Sequence, residues 1–397
     1  MSTCEALYEF ASAQPIVNTH SHYQLPEGPR SLDFLMENSY VRWLNVPLGK
    51  DAAGRAEFLG RVRHNTYFTW LERALQKLYG FSGRLTADNW DEWSQAIKRS
   101  SLPDERVFRE TCGYRAIVLD AYWDPGAAHS SKLFTPTFRI NSFLYGYDGA
   151  AKDHNGNNAL RLYGETPGGF DEYLAFMREV VRKKKSAGCM ALKCASAYDR
   201  PLDFKEVSRE RAARANQSAS ATSEEIRDFQ DYVFFELCRI AAEVDLPFQC
   251  HTGLGLLDRT NAMMLREAIA SNPDTRFVLF HGGYPWTEDI AALAHFFPNV
   301  FTDLCWLPIL STAAAERFLS EMLDVTTADK LLWGCDTWTP EESYGALLAM
   351  RDVLSRVLAA RIDRGLCDLE GAKDLIERIL SRNAAALFGI RVNEAGA

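Results

Sequence analysis

Short runs of β-branched and aromatic residues, closed by turn residues, recur eight times along the chain. They are PIVNTHSH (15–22), AIVLDAYW (116–123), TPTFRINSF (135–143), CMALKCASAY (189–198), PFQCHTG (247–253), RFVLFHGG (276–283), VFTDLCWL (300–307) and LLWGCDTW (331–338). Most are followed by apolar residues at helical spacing. Between 228 and 244, for example, Phe229, Val233, Leu237, Ala241 and Val244 share one helix face, and Asp245-Leu246-Pro247 then stops the helix before the fifth run. Strand and helix alternating to a count of eight predict an α/β fold, a (β/α)8 TIM barrel, as one domain over 1–397 with no internal repeat.

Two connections are longer than such a barrel needs. More than ninety residues separate the first two strands, with helical periodicity and many aromatics, among them Tyr40, Trp43, Tyr67, Trp70, Trp90 and Trp93. Connections usually run to about 2–6 residues, and this one is too apolar for a linker, so a helical insertion over about 25–110 is expected to pack on the barrel mouth. The second, about 201–223, contains ERAARANQSASATSEE and reads as a polar, mobile loop.

Composition narrows the function classes. No run of 18 or more apolar residues is present, and the start, MSTCEALYEFASAQP, has no basic segment leading into an apolar one. A cytoplasmic enzyme without membrane partners is expected. The net charge of -9 argues against nucleic acid. The one basic run, RKKK at 182–185, precedes Ser186-Ala187-Gly188 and reads as a solvated helix end. Nine cysteines without a C-x-x-C pair suit reduced, mostly buried thiols.

Polar residues that chemistry could use cluster at the carboxyl ends of the runs: His20 and His22 on the first, Lys193 on the fourth, His251 on the fifth, His281 on the sixth and Asp336 on the eighth. In a parallel barrel these ends face one mouth, where active sites lie. Five of the six are zinc-type ligands. Singly each has a plainer reading: H-x-H in a half-buried strand by chance, His251 as a core histidine, Asp336 as a helix cap. Lys193 in an apolar strand is costly unless paired or chemically altered. Jointly and in strand order they point to a metal site. Arg139, Tyr198, Arg200 and Trp338 are candidates to line a substrate pocket, an arginine fork suiting a carboxylate; for either arginine a structural salt bridge is an equal alternative.

This order of residues resembles the amidohydrolase superfamily of metal-dependent barrel enzymes. FHGGYPWTEDIAALAHFFPNVFTDL (280–304), LLWGCDTWTPEE (331–342) and SRNAAALFGI (381–390) are similar to the amidohydrolase-related branch, which includes aminocarboxymuconate-semialdehyde decarboxylase and amidohydrolase domains fused to glutamine-synthetase-like chains. ALKCASAYDR (191–200) resembles the latter group. NTYFTWLERALQKLYGFSGRLTADNWDEW (65–93) resembles the segment after strand one of uronate isomerases. Those isomerases generally follow the last-strand aspartate with Ser-Arg, whereas this chain has Asp336-Thr337-Trp338, and Thr69 stands where they tend to carry a histidine. Asn18 replaces the usual first-strand Asp.

The resemblance implies a divalent metal, zinc expected, on His20, His22, His251 and Asp336, with Asp336 also taking a proton from water and His281 polarising the scissile carbonyl or holding the leaving group. One metal is expected, with Lys193 as an ammonium for a substrate carboxylate; carboxylation of Lys193 would bring a second. The expected function is hydrolysis of a C–N or C–O bond in a small, carboxylate-bearing substrate. Non-oxidative decarboxylation, uronate isomerisation and a binding scaffold without chemistry are the alternatives. A homodimer is plausible for the family.

Overall fold

The computed structural model of the chain describes residues 1–25, 28–216, 218 and 220–391. Its strands are β1 (Ile16–Ser21), β2 (Tyr114–Leu119), β3 (Phe134–Pro136), β4 (Phe138–Arg139), β5 (Leu192–Cys194), β6 (Phe248–Cys250), β7 (Phe277–Phe280), β8 (Val300–Asp303) and β9 (Leu331–Leu332). Every paired neighbour is parallel, in the orders β1-β2-β3 and β4 to β9. β3 and β4 are two halves of one stave: Thr137 N donates to Leu119 on one side and Phe138 N to Ala191 on the other, both at 2.9 Å. The ring closes between β9 and β1, where Asp336 N donates to His20 O (2.9 Å) and His22 N to Thr337 O (3.0 Å). Eight staves therefore form the expected barrel.

Closure depends on a residue without a side chain. A Cβ on Gly334 would lie 2.6 Å from His20 N and 2.7 Å from Thr19 Oγ1, so no larger residue fits where the last stave meets the first. Most strands end earlier than their apolar runs. β6 stops at Cys250, β7 at Phe280 and β9 at Leu332; His251 and Asp336 follow in irregular backbone, and His281 opens the short 3-10 turn His281–Gly283. His281 and Asp336 take left-handed φ values of 64° and 55°, as does Trp306 at 64°. Non-glycine residues rarely adopt such values, and they gather where function needs a side chain aimed against local preference.

The residues between β1 and β2 form the helices Leu32–Glu37, Ala52–Val62, Thr66–Tyr79 and Trp90–Arg99 with short turns. Thr66–Tyr79, capped by Asn65, packs on the long helix Pro340–Asp363, so closely that a Cβ on Gly345 would meet Trp70 O at 2.8 Å. Trp70 Nε1 donates to Thr312 Oγ1 (2.9 Å), and Arg30 bridges Asp104 and Glu341. Tyr40 stacks on Trp306 (4.8 Å between centroids) and meets Trp338 edge-on (5.0 Å), placing an insertion aromatic against two residues that follow barrel strands.

A separate small core joins Val17, Ala116, Val278 and Leu332 of the strands to Leu387 and Phe388 of the last helix, Asn383–Phe388. The segment expected as a mobile loop contains a helix, Arg209–Ala213, because Ala212 and Ala215 are buried and Arg211 pairs with Asp228; residues 217 and 219 lie outside the described residues. RKKK ends the helix Phe170–Ser186, as expected. The nine cysteines are free, seven of them buried. Among the described residues no helix is long and apolar enough to cross a membrane.

Candidate metal centre

His20 and His22 leave β1 with ring centroids 4.7 Å apart and turn toward Asp336. His22 Nε2 lies 3.2 Å and His20 Nε2 3.5 Å from the same oxygen, Asp336 Oδ1, while His281 Nδ1 lies 3.6 Å from Oδ2. All four are at most 8% exposed. Asp336 does not cap the following helix, whose N-cap is Thr339.

Tautomers show what this arrangement lacks. His22 Nδ1 sits 2.8 Å from the Asp120 carbonyl, which can only accept, so in the neutral ring Nε2 is a bare lone pair facing a carboxylate oxygen. The same reasoning holds beside it. His251 Nε2 donates to Leu254 O (2.6 Å) and His281 Nδ1 to Cys305 O (3.1 Å), leaving His251 Nδ1 and His281 Nε2 with lone pairs opposed at 2.9 Å. Burial pushes His20 and His251 well below the usual histidine range and His281 down to about 4, so these rings are neutral at pH 7. Burial works to raise the Asp336 carboxyl; positive charge on the neighbouring His20 and His22 would hold it well below the carboxylate range, and where those rings are neutral another cation has to take that place. A lone pair set against a carboxylate at His22, and two lone pairs set against each other at His251 and His281, each call for a cation or a proton between them. Among the described residues, Asp336 Oδ1 and His20 Nδ1 are also buried without a hydrogen-bond partner. The donor set of imidazoles and one carboxylate fits a divalent metal.

Two clusters bring metal-ligand atoms within 4.8 Å of one another: His20, His22 and Asp120, and His281, Cys305 and Asp336. Asp120, just past β2, is a carboxylate the sequence reading passed over, although it too ends a strand. Its Oδ2 is 4.0 Å from His20 Nε2. The Arg139 guanidinium grips it with Nη2 at 2.6 Å and Nε at 3.2 Å from each oxygen, which makes Asp120 the counter-ion of that arginine.

Lys193 on β5 is 1% exposed, with Nζ 3.4 Å from the Phe280 ring centroid and no hydrogen-bond partner among the described residues. Burial lowers its pKa against the pull of Asp120. A cavity of about 240 Å³ opens over these groups, lined by His20, His22, Lys193, His251 and Asp336 at its base and by Tyr40, Trp43, Tyr122, Tyr198 and Trp338 on its walls. Tyr198 lies 4.5 Å from the His251 ring and Trp338 stacks on His22 at 5.6 Å. Arg139 reaches this cavity with its charge already committed to Asp120. Arg200 stands apart from it. Its guanidinium holds Asp231 (2.6 Å) and Gln230 (3.2 Å) of the helix Ser223–Glu243, so the structural salt bridge is the reading that applies.

Residues 210–390 match the family model described as Amidohydrolase. Protein fluG from Emericella nidulans is 35% identical over 148 residues, 36% of this chain and 17% of that protein, so the match spans less than a fifth of the relative. Among solved structures, a uronate isomerase from Thermotoga maritima superposes with a TM-score of 0.76 at 18% identity, covering 97% of each chain. Glucuronate isomerase from Caulobacter crescentus gives 0.75 at 16%, over 99% of this chain and 95% of that one. A chain assigned as a metal-dependent hydrolase from Lactobacillus casei gives 0.70 at 19%, over 97% and 99%. These likenesses carry the barrel fold. With the family match they bear out the resemblance to the amidohydrolase superfamily.

Proposed function

We propose that this chain, a barrel of the amidohydrolase superfamily, is a metal-dependent hydrolase that cleaves a C–N or C–O bond of a small, carboxylate-bearing substrate. The observation that carries the reading is the convergence of the His20 and His22 Nε2 atoms on one oxygen of an ionised Asp336, at the carboxyl ends of the strands. His20, His22, His251 and Asp336 would hold one divalent ion, zinc by the character of its donors. Bound there, the ion supplies Lewis acidity and lowers the pKa of coordinated water toward neutrality.

The chain's own residues do the rest. Asp336, ionised at neutral pH, takes a proton from the attacking water. For His281 to polarise the carbonyl or hold the leaving group it would first have to take up a proton on Nε2, because its Nδ1 proton is held by Cys305 O. Lys193 is the cation that a substrate carboxylate meets: among the described residues its buried Nζ has no anion in hydrogen-bond contact, and a carboxylate would favour its charged form. Arg139, bound to Asp120, positions rather than binds. The aromatic walls exclude water, and about 240 Å³ limits the substrate to a small molecule.

Three assays on zinc-loaded protein test the reading: amine or alcohol release from amides and esters of small dicarboxylic acids, carbon dioxide release from aromatic and muconate acids, and ketose formation from glucuronate and galacturonate. Release of amine or alcohol is expected. Carbon dioxide alone would make the protein a decarboxylase, and ketose alone a sugar-acid isomerase; either overturns the proposal.

A further inference from the structure

Beside the cavity over the metal centre lies a second one that the chemistry above does not use. Its volume is about 480 Å³, and it opens between the barrel mouth and insertion residues such as Phe34. Trp43, Tyr122 and Trp338 line both volumes, so the two meet at these three rings. The rings are held from behind. Tyr40 meets Trp43 and Trp338 edge-on at 5.1 and 5.0 Å, and Tyr122 stands edge-on to His22 at 5.3 Å, with the Arg139 guanidinium 5.4 Å from its centroid.

The apolar surface at this mouth exceeds what packing needs. Of the nine tryptophans two are exposed, Trp43 at 46% and Trp123 at 40%, and both stand here, Trp123 edge-on to Tyr122 at 5.0 Å. Leu25, 62% exposed, joins them on the wall of the outer cavity. Large apolar side chains gathered in water around a concave opening mark a binding surface. Charge adds a second constraint. One residue of each sign, Glu37 and Arg42, reaches the outer cavity, so its lining carries no net charge and suits a neutral group better than an ion.

The inner cavity sets which part of a substrate arrives there. With its carboxylate on Lys193 at the base and its scissile bond over the metal ligands, a substrate turns the group beyond that bond toward the three shared rings. We infer that the outer cavity is the subsite for the leaving group of the hydrolysis proposed above, on which this assignment rests. The leaving group is an arylalkyl amine or alcohol, whose neutral ring lies among Trp43, Tyr122 and Trp338 in the offset and edge-on contacts that aromatic groups favour.

Two ketones that cannot be hydrolysed, 4-oxohexanoic acid and 4-oxo-6-phenylhexanoic acid, share the carboxylate and the carbonyl and differ by a phenyl ring. Isothermal titration gives their affinities for zinc-loaded wild type, Trp43→Ala and Leu25→Ser. The phenyl compound is expected to bind wild type about 30-fold more tightly, an advantage that falls below about fivefold in Trp43→Ala and to about 10-fold in Leu25→Ser. Leu25→Ser alters an exposed side chain and so keeps the test open if Trp43→Ala fails to fold. The ratio of kcat/KM for the matching amides, N-benzylsuccinamic and N-methylsuccinamic acid, should follow the same order. Equal affinities, no binding of either ketone, or a wild-type ratio kept in both variants overturns the subsite, while turnover of the amides leaves the hydrolase reading standing. A dimer in sedimentation that Trp43→Ala breaks would assign the mouth to a second copy of the chain instead. The expected affinity ratio with neither amide turned over overturns hydrolysis at this site, and with it the identity of the ring as a leaving group.

Discussion

Glu342 offers a quantitative test of how the insertion is seated. It lies in the first turn of the helix Pro340–Asp363, 5% exposed, and Oε1 accepts from the backbone N of insertion residue Tyr40 at 2.6 Å, while Oε2 has no hydrogen-bond partner among the described residues. Burial pushes its carboxyl from the ordinary 4.5 up to about 8. The folded chain then holds a proton that the unfolded chain releases above its lower pKa. Stability from this group is full below about pH 4.5 and is lost as pH rises toward 8. At roughly 1.4 kcal/mol per pH unit, the loss reaches about 3 kcal/mol at pH 7 and levels off near 5 kcal/mol above pH 8. Glu342→Gln keeps an oxygen for Tyr40 and cannot ionise, so it should escape this loss. Denaturant unfolding of wild type and variant at pH 5, 6, 7 and 8 measures it. The stability difference should move in favour of the variant by about 2–3 kcal/mol between pH 5 and pH 7. A difference that stays constant across that window would refute the buried, protonated Glu342.

Three further substitutions separate binding from structure. Lys193→Met removes a buried ammonium that lacks a hydrogen-bond partner among the described residues, so it should leave stability unchanged or raise it by about 1–2 kcal/mol, while kcat/KM falls at least about 100-fold; unfolding midpoints and steady-state kinetics check both. Arg200→Ala strands the buried Asp231 and should cost about 3 kcal/mol of stability with KM unchanged; a raised KM at unchanged stability would return Arg200 to the substrate. Arg139→Met should destabilise by about 3–5 kcal/mol because it leaves Asp120 unpaired, and adding Asp120→Asn should recover much of that loss, as a double-mutant cycle would measure.

The barrel and the base of the candidate site were legible for a local reason. Parallel strands put their carboxyl ends on one face, so His20, His22, Lys193, His251, His281 and Asp336 could be brought together without a contact map. What escaped depended on pairing across the fold. Arg139 and Arg200 look alike in sequence, and only the positions of Asp120 and Asp231 show that both charges are engaged. Asp120 ended a strand as visibly as Asp336, but only Asp336 stands where the family resemblance places a ligand. The third stave reads as one run because pattern does not register that its halves pair with different neighbours about Thr137.

The central claim is that a cation joins His20, His22 and Asp336. Metal content of the purified protein after incubation with zinc and removal of excess, measured by inductively coupled plasma mass spectrometry, tests it directly. One equivalent per chain is expected in the wild type, falling to near zero in His20→Ala and in Asp336→Asn chains that remain folded by circular dichroism. A wild-type chain that retains no zinc, or variants that bind as much as the wild type, would contradict it.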